Sequence, residues 1–398
     1  MTPARLAWVA LGATLALQLY TALASTAAAV LAPAIAADFG VEARWIGVFI
    51  GLVYAGAMTA SLASGSFIER YGSIRVSQAC VLICGVGVAL MALTASPVVL
   101  VFAALVIGVG YGPITPASSQ LLARTTHPDR MAMTFSIKQT GVPAGAALAG
   151  ALLPSLAHAV GWRATLFIVA GAAIAIAFAA QPIQAALDTD RQRRRTLSLR
   201  TMLSPLVHLR DRTLRQVALI SLAYSAAQVC LTSYLVVYLT AVLDFSLVGA
   251  GFALSVATIG GVAGRILWGI VADRWLAPRR TLALIGGMAA VCGLALAVAE
   301  PAWPVVVSLV VAGLFGATAI GWNGVQLAEV ARLAPRGAVA AVQGATGFVT
   351  FSGVVAGPPL FALIASLTGS YRVSFAVVAI VSAIGAGWMA STAGEARS

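Results

Sequence analysis

Long apolar segments alternate with short polar ones from one end of the chain to the other. Each apolar segment has about 20 residues or more, the length that a helix needs to cross a hydrocarbon core of about 30 Å. Backbone polar groups need partners in lipid, and these segments lack the alternation of barrel strands, so each is predicted to be a helix. Prolines predict interruptions of the fourth and eleventh helices, at Pro113, Pro116, Pro358 and Pro359. The pattern predicts twelve helices, at residues 7–36, 45–67, 76–95, 97–122, 131–157, 163–183, 214–243, 247–272, 280–299, 303–328, 337–366 and 371–391.

The composition fits an all-α membrane protein. Charged residues are only 9% of the 398 residues and hydrophobic residues 61%, whereas about a quarter of the residues of a soluble domain are charged. The net charge of +12 comes from arginines in the short polar segments. Membrane topology explains this placement better than nucleic-acid binding, so no nucleic-acid partner is predicted. Neither a metal nor a cofactor is predicted, because the cysteines lie inside apolar segments without metal-ligand spacing: Cys80, Cys84, Cys230 and Cys292.

A polar, arginine-rich linker at residues 184–213 divides the chain into predicted bundles at 1–183 and 214–398. With the N-terminus in the cytoplasm, nineteen arginines face inside and only Arg44, Arg163 and Arg372 face outside. The positive-inside rule therefore predicts an inner-membrane protein with both termini and the linker in the cytoplasm. Residues 5–25 imitate a signal peptide, but the apolar segment continues to about residue 36, as in a membrane helix. A contact of the linker with lipid headgroups stays open.

The two halves resemble each other at a shift of roughly 205 residues. Asp38-Phe39 corresponds to Asp244-Phe245, and Gln139-Thr140-Gly141 corresponds to Ala345-Thr346-Gly347, each at the same place in its half. Two six-helix repeats in the same orientation are typical of transporters whose site lies between the halves.

Two polar loops carry related motifs, GSFIERYGSIR at residues 65–75 and GIVADRWLAPRR at residues 269–280. Both resemble the cytoplasmic loop signature of the major facilitator superfamily, a glycine followed four residues later by an acid–arginine pair. Glu69 replaces the usual aspartate, and Leu276 replaces the second glycine. The resemblance covers essentially the whole chain and implies twelve helices in two pseudo-symmetric six-helix bundles. It also implies a latch of the outward-facing state, formed by Gly65, Glu69, Arg70, Gly269, Asp273 and Arg274; a topology signal alone is the alternative.

Two cations fall within predicted helices. Lys138, the only lysine, and Arg265 each lie about 7 or 8 residues from the cytoplasmic end, at similar depth. Such groups are costly in a membrane and suggest function; for Lys138 the alternative is an amine that extends to the interface without a specific role. The family resemblance implies that the fifth and eighth helices face each other, so an anion would relieve the repulsion. An arginine in the eighth helix also partly resembles oxalate/formate, monocarboxylate and nitrate/nitrite porters.

Further polar and aromatic residues lie at the depth expected for a transport cavity. For each of them, the alternative to substrate binding is an interhelical hydrogen bond. The residues predicted to bind substrate beside Lys138 and Arg265 are Gln139, Tyr20, Tyr111, Tyr224, Gln228, Trp322 and Asn323, with Gln18, Thr115, Ser118 and Gln326 nearby.

These observations predict a secondary active transporter and no enzyme, since no nucleophile with a base and no metal cluster is evident. The absence of Asp, Glu and His at mid-depth favours a small organic anion, with a carboxylate expected, moved by alternating access through proton symport or anion exchange. Lys138 and Arg265 would clamp its anionic group. The alternative is proton-driven efflux of drugs or hydrophobic metabolites. A monomer is expected.

Overall fold

The computed structural model describes residues 2–40, 46–192 and 197–392. The described residues form helices joined by short loops, with no strand among them, and 12 of the segments have the length and hydropathy to cross a membrane. Five arginines counted for the predicted topology lie outside the described residues, at positions 44, 193, 194, 195 and 397.

Six membrane segments precede the linker and six follow it, and several consist of two helices in succession. The first set comprises α1 (Pro3–Val30), α2 (Ala32–Phe39), α3 (Ile46–Tyr71), α4 (Ser73–Leu93), α5 (Pro97–Tyr111), α6 (Ile114–Thr125), α7 (Met131–Gln139), α8 (Gly141–Val160) and α9 (Trp162–Ala179). The linker contains α10 (Gln181–Leu187) and α11 (Leu199–Leu203). The second set comprises α12 (Arg212–Val242), α13 (Leu247–Arg274), α14 (Pro278–Val298), α15 (Val305–Ala319), α16 (Asn323–Leu333), α17 (Val339–Thr368) and α18 (Tyr371–Thr392).

The prolines have different effects in the fourth and eleventh segments. The fourth segment breaks between α5 and α6 at Gly112 and Pro113, as predicted. The predicted interruption at Pro358 and Pro359 is wrong, because α17 continues through both. Membrane helices tolerate proline where neighbouring groups satisfy the backbone. Tyr234 of α12 donates a hydrogen bond to the Pro358 carbonyl at 2.9 Å, so α12 contacts α17 at this pair of prolines.

The chain divides into two compact units. The first contains residues 1–126, 138–211 and 330–351, and the second contains residues 127–137, 212–329 and 352–398. In the first unit α1 packs on α8, α3 on α5, and α4 on both α5 and α9. In the second unit α13 packs on α15, while α14 packs on α15 and α18. Related helix pairs thus recur in the two units, in agreement with the repeat in the sequence.

Glycines allow the closest of these helix pairs. A side chain at Gly108 or Gly112 would overlap the backbone of α3 at Val53 and Ala57. In the second unit, a side chain at Gly316 would overlap the Ala257 carbonyl of α13. Small residues drive membrane helix association because they permit close backbone approach. The α3–α5 and α13–α15 pairs therefore hold firm frameworks for the polar residues beside them.

Candidate functional site

Lys138 lies at the end of α7 and is fully buried, so its amine does not extend to the membrane interface. Its Nζ atom donates to Gln18 Oε1 at 2.7 Å, to Gln139 Oε1 at 3.2 Å and to Thr115 Oγ1 at 3.3 Å. These three acceptors are neutral oxygens from α1, α6 and α7. The ammonium is therefore held by side-chain oxygens from three helices.

A break in the fifth segment brings Gln18 to this amine. The helix α7 ends at Gln139, and α8 begins at Gly141. At Gly141 a Cβ atom would lie 3.1–3.3 Å from atoms of Leu15 and Gln18, so this residue permits close approach of α8 to α1. The packing of α1 on α8 thereby fixes the depth of Gln18 relative to Lys138.

The amide nitrogen of Gln18 is a buried donor in the same cluster. Gln18 is fully buried, and its Nε2 has no hydrogen-bond partner in the part of the chain that the structure describes. Its Oε1 faces the ammonium of Lys138, so exchanging the two amide atoms would set donor against donor. A buried amide without a partner costs roughly 1–3 kcal/mol. A ligand oxygen that accepts from Gln18 Nε2 would recover this energy, and the adjacent ammonium of Lys138 would attract an anion to this place.

Arg265 is buried in α13 of the second unit. Its Nε donates to the Ile320 carbonyl at 3.1 Å, at the break between α15 and α16. Ile320 follows the last residue of α15 and caps its C-terminus. The last carbonyls of a helix lack helical partners, and they favour a positive charge nearby. This bond uses one of the guanidinium's five N–H groups.

Three predicted site residues come together beside Arg265. Gln228 Oε1 accepts from Trp322 Nε1 at 3.2 Å and from Asn323 Nδ2 at 3.1 Å. Asn323 Nδ2 also lies 3.3 Å from the Ile320 carbonyl that Arg265 uses. Each unit therefore contains a polar cluster around a buried cation: Lys138, Gln139, Gln18 and Thr115 in the first, and Arg265, Gln228, Trp322 and Asn323 in the second.

Tyr20 and Tyr224, two predicted substrate-binding residues, use their hydroxyls in helix packing. Tyr20 donates to the Val169 carbonyl at 3.0 Å, and Tyr224 donates to the Leu282 carbonyl at 2.9 Å. Both are buried, at 2% and 3% exposure. Both contacts are interhelical hydrogen bonds, so we leave these two residues out of the candidate site.

Tyr111 belongs to an aromatic cluster of the first unit. Its ring centroid lies 6.3 Å from that of Tyr54 and 6.2 Å from that of Phe351, and those two lie 6.0 Å apart. Sequence reasoning missed Tyr54 and Phe351, because an isolated aromatic residue in an apolar segment does not differ from a core or lipid-facing one. The cluster supplies apolar surface in the same unit as Lys138.

The predicted latch glycines permit close helix contacts. A Cβ at Gly65 would lie 2.7 Å from Ala341 Cα, and a Cβ at Gly269 would lie 2.8 Å from Ser136 Oγ. Asp273 accepts hydrogen bonds from the N–H groups of Ala132 and Met133 at 2.9 and 2.8 Å, at the start of α7. The carboxylate therefore caps this helix N-terminus.

The other latch residues differ in their surroundings. Arg70 lies over the ring of Tyr71, with 5.3 Å between its Cζ and the ring centroid, and Arg274 is exposed. The Glu69 carbonyl accepts from the backbone of Gln192 at 2.6 Å.

Two capping residues were not found from the sequence. Gln120 Oε1 accepts from the N–H of Ala340 at 3.0 Å, at the start of α17. Asp188, buried in the linker, accepts from the N–H groups of Ile74 and Arg75 at 2.8 and 3.0 Å. The charge pattern of the linker does not distinguish this buried aspartate, which follows the last residue of α10, from the exposed charges around it.

No group of three or more His, Cys, Asp and Glu residues in the described ranges could hold a metal ion.

These features define a polytopic helical membrane protein with two related sets of six spans and a buried polar cluster in each unit. The Major Facilitator Superfamily family model matches residues 14–358. The chain belongs to the major facilitator superfamily and is a multi-pass membrane transporter rather than an enzyme.

Solved structures agree with this fold. The Escherichia coli fucose:proton symporter FucP is 16% identical with a TM-score of 0.74, over 96% of this chain and 98% of that chain. The human organic anion transporter MFSD10 is 18% identical with a TM-score of 0.75, over 98% of this chain and 100% of that chain. The proton:xylose symporter XylE is 16% identical with a TM-score of 0.71, over 97% of this chain and 94% of that chain. No curated protein matches the sequence.

Proposed function

We propose that this transporter carries a small organic anion, with a carboxylate as the recognised group, by alternating access. The observation that carries the proposal is the pair of buried donors at Lys138 Nζ and Gln18 Nε2. One oxygen of a carboxylate can accept from Gln18 Nε2. Its second oxygen can accept from Lys138 Nζ in place of one of the three neutral oxygens that share the ammonium's three N–H groups. Charge-assisted hydrogen bonds of this kind are about twice as strong as neutral ones.

The charge of the site favours an anion over a cationic drug. A cationic substrate would meet the ammonium of Lys138 in a medium of low dielectric constant, where repulsion is strong. The sequence places no acidic residue at mid-depth in the membrane segments to hold a cation. Efflux of cationic drugs is therefore the weaker alternative.

Arg265 is our second candidate for anion binding. Its Nε bond to Ile320 holds the guanidinium in place, and the fork geometry of arginine suits a carboxylate. Gln228, Trp322 and Asn323 add polar and aromatic surface beside it. We assign these residues to substrate recognition as a proposal that is tested separately from Lys138.

The fold alone does not choose the substrate. The relatives above are described as carriers of fucose, organic anions and xylose, and all are less than 20% identical to this chain. The case for an anion accordingly rests on the buried cations. The proposed coupling is either proton symport or anion exchange. Uptake measured with and without a pH gradient distinguishes these two mechanisms.

We also propose an orientation and a role for the loop motifs. Both termini and the 184–213 linker lie in the cytoplasm of an inner-membrane protein, as the arginine distribution favours. The Asp273 contacts at the start of α7, with the close approaches at Gly65 and Gly269, stabilise one transport state and break in another.

Ligand-induced thermal stabilisation of the purified protein tests the substrate class. A ligand that binds only the folded state raises the melting temperature. We expect stabilisation by a subset of small carboxylates, lost in Lys138→Met and retained in Gly150→Ala. Gly150 is a matched control in the same membrane segment, because a Cβ there meets no atom within 4 Å. Stabilisation by lipophilic cations alone would support drug efflux and contradict the proposal.

A further inference from the structure

A short helical segment of the linker lies against the membrane end of α3. This segment, the linker helix, comprises α11 and the 3₁₀ turn Ser204–Arg210 that continues it. Ser198 caps its start through a capping box with Thr201. Ser66 of α3 donates to the Thr201 carbonyl at 2.9 Å, and Pro205 is buried. One side of the linker helix is therefore fixed on the first unit.

The opposite side of the linker helix is apolar and exposed. Leu199 is 73% exposed, Leu203 45%, Leu206 38% and Val207 56%. Leu199 and Leu203 lie four residues apart in α11, and Leu203 and Leu206 lie three residues apart at the 3₁₀ turn, so these three share one face. Val207 lies on the adjacent exposed side. Contiguous apolar surface of this kind on a helix marks an interaction site.

The depth of the linker helix identifies its surroundings. Ser66 lies five residues before Tyr71, the last residue of the membrane-spanning helix α3. At 1.5 Å per residue, the contact with Thr201 lies about 7–8 Å inside the end of that helix. Interfacial helices bury their apolar faces about 5–10 Å into the boundary between headgroups and acyl chains. The helix α3 has 26 residues, so it is about 39 Å long and exceeds a hydrocarbon core of about 30 Å by roughly 4–5 Å at each end. The contact with Thr201 therefore falls near the boundary between headgroups and acyl chains.

The charges beside the apolar face favour anionic lipid. Arg200 and Arg210 are exposed at the two ends of the linker helix, and the exposed acid Asp211 follows Arg210. The net charge of these three side chains is positive. An arginine near an anionic membrane surface gains favourable electrostatic energy that falls off within a Debye length.

We propose that the linker helix is an interfacial anchor for anionic phospholipid. Its apolar face, Leu199, Leu203, Leu206 and Val207, inserts at the acyl-chain boundary of the leaflet on the linker's side. Arg200 and Arg210 bind the phosphate groups of the headgroups. The linker is then held by lipid on one face and by α3 on the other, rather than extending freely between the two halves.

Spin labels on the full-length protein in lipid nanodiscs test this anchor. Labels are attached at Leu203→Cys and Val207→Cys on the apolar face, and at Arg336→Cys, an exposed position in the loop between α16 and α17 that serves as the aqueous control. The four native cysteines are buried, and the unsubstituted protein measures their background. We expect the labels at positions 203 and 207 to collide mainly with oxygen, which concentrates in lipid. The label at position 336 should collide mainly with a water-soluble nickel complex.

The lipid composition and the arginines provide the second arm. With phosphatidylglycerol present, the oxygen preference at position 207 should exceed that in phosphatidylcholine alone. Arg200→Gln with Arg210→Gln should remove this increase. Labels at positions 203 and 207 that prefer nickel as strongly as position 336 would overturn the anchor and leave the face to a soluble partner. An oxygen preference that responds neither to phosphatidylglycerol nor to the arginine changes would overturn the headgroup assignment.

Discussion

At the residue scale, the central feature is the contact between Lys138 and Gln18. The sequence predicted the importance of Lys138, because a single lysine in an apolar segment is costly and easily recognised. It could not predict that Gln18 Oε1 accepts from the amine while Gln18 Nε2 lacks a partner in the described chain. That arrangement depends on how α1 packs against Gly141 of α8, which is a tertiary contact. The hydroxyl contacts of Tyr20 and Tyr224 with backbone carbonyls are likewise tertiary contacts that the sequence does not reveal.

Gln18→Glu should separate the charge of the cluster from its packing. The new carboxylate keeps an acceptor for Lys138 Nζ and neutralises its charge, so the protein should melt at the same temperature or higher. Loss of one charge-assisted bond of about 1.5–3 kcal/mol should weaken anion binding by roughly 10- to 100-fold. Titration of the anion by calorimetry measures this effect. Unchanged affinity would show that the cluster does not bind the anion.

At the element scale, the helices were largely predictable and their irregularities were not. Apolar length indicated the spans, and Gly112-Pro113 indicated the break in the fourth segment. The continuous path of α17 through Pro358 and Pro359 depends on neighbours that a single segment does not reveal. The helix breaks at Thr140 and Ile320, next to Lys138 and in contact with Arg265, have no proline at the break, so the sequence did not predict them.

The close α13–α15 contact should be sensitive to one methyl group. A Cβ at Gly316 would overlap the Ala257 carbonyl, whereas a Cβ at Gly287 of α14 meets no atom within 4 Å. Gly316→Ala should destabilise the protein by about 1–3 kcal/mol through overpacking, and Gly287→Ala should not. Thermal unfolding in detergent measures both. Equal melting temperatures would contradict the close packing.

The cap on α7 gives a second prediction at this scale. Asp273→Ala removes the acceptor for the N–H groups of Ala132 and Met133. A lost helix cap costs about 0.5–2 kcal/mol, so amides at the start of α7 should exchange with deuterium faster. Asp273→Asn retains one oxygen acceptor and should have a smaller effect. Unchanged exchange in Asp273→Ala would rule out the cap as a stabilising contact.

At the scale of the whole molecule, family and fold could be predicted but the substrate could not. The repeated loop motifs and the twelve spans led to the superfamily, which the family model and the solved structures confirm. Proteins of the same fold carry chemically different substrates, because a few side chains in the binding site determine which substrate is bound. The proposal for substrate recognition therefore rests on Lys138, Gln18 and Arg265.

Orientation in the membrane is a prediction at the same scale. The arginine distribution predicts that the α4–α5 loop lies outside and the α16–α17 loop inside. A membrane-impermeant maleimide should label Ala95→Cys in intact cells, and should label Arg336→Cys only after permeabilisation. Both positions are exposed, and the native cysteines are buried. The reverse labelling pattern would show that the chain is inserted the other way.

Uptake of a stabilising carboxylate into proteoliposomes tests the central claim most directly. Lys138→Met keeps much of the side-chain length without the charge, and Lys138→Arg keeps the charge. We expect Lys138→Met to abolish uptake and Lys138→Arg to retain part of it, with Gly150→Ala equal to the unsubstituted protein. Uptake by Lys138→Met at the unsubstituted rate would contradict the claim that the buried ammonium binds the transported anion.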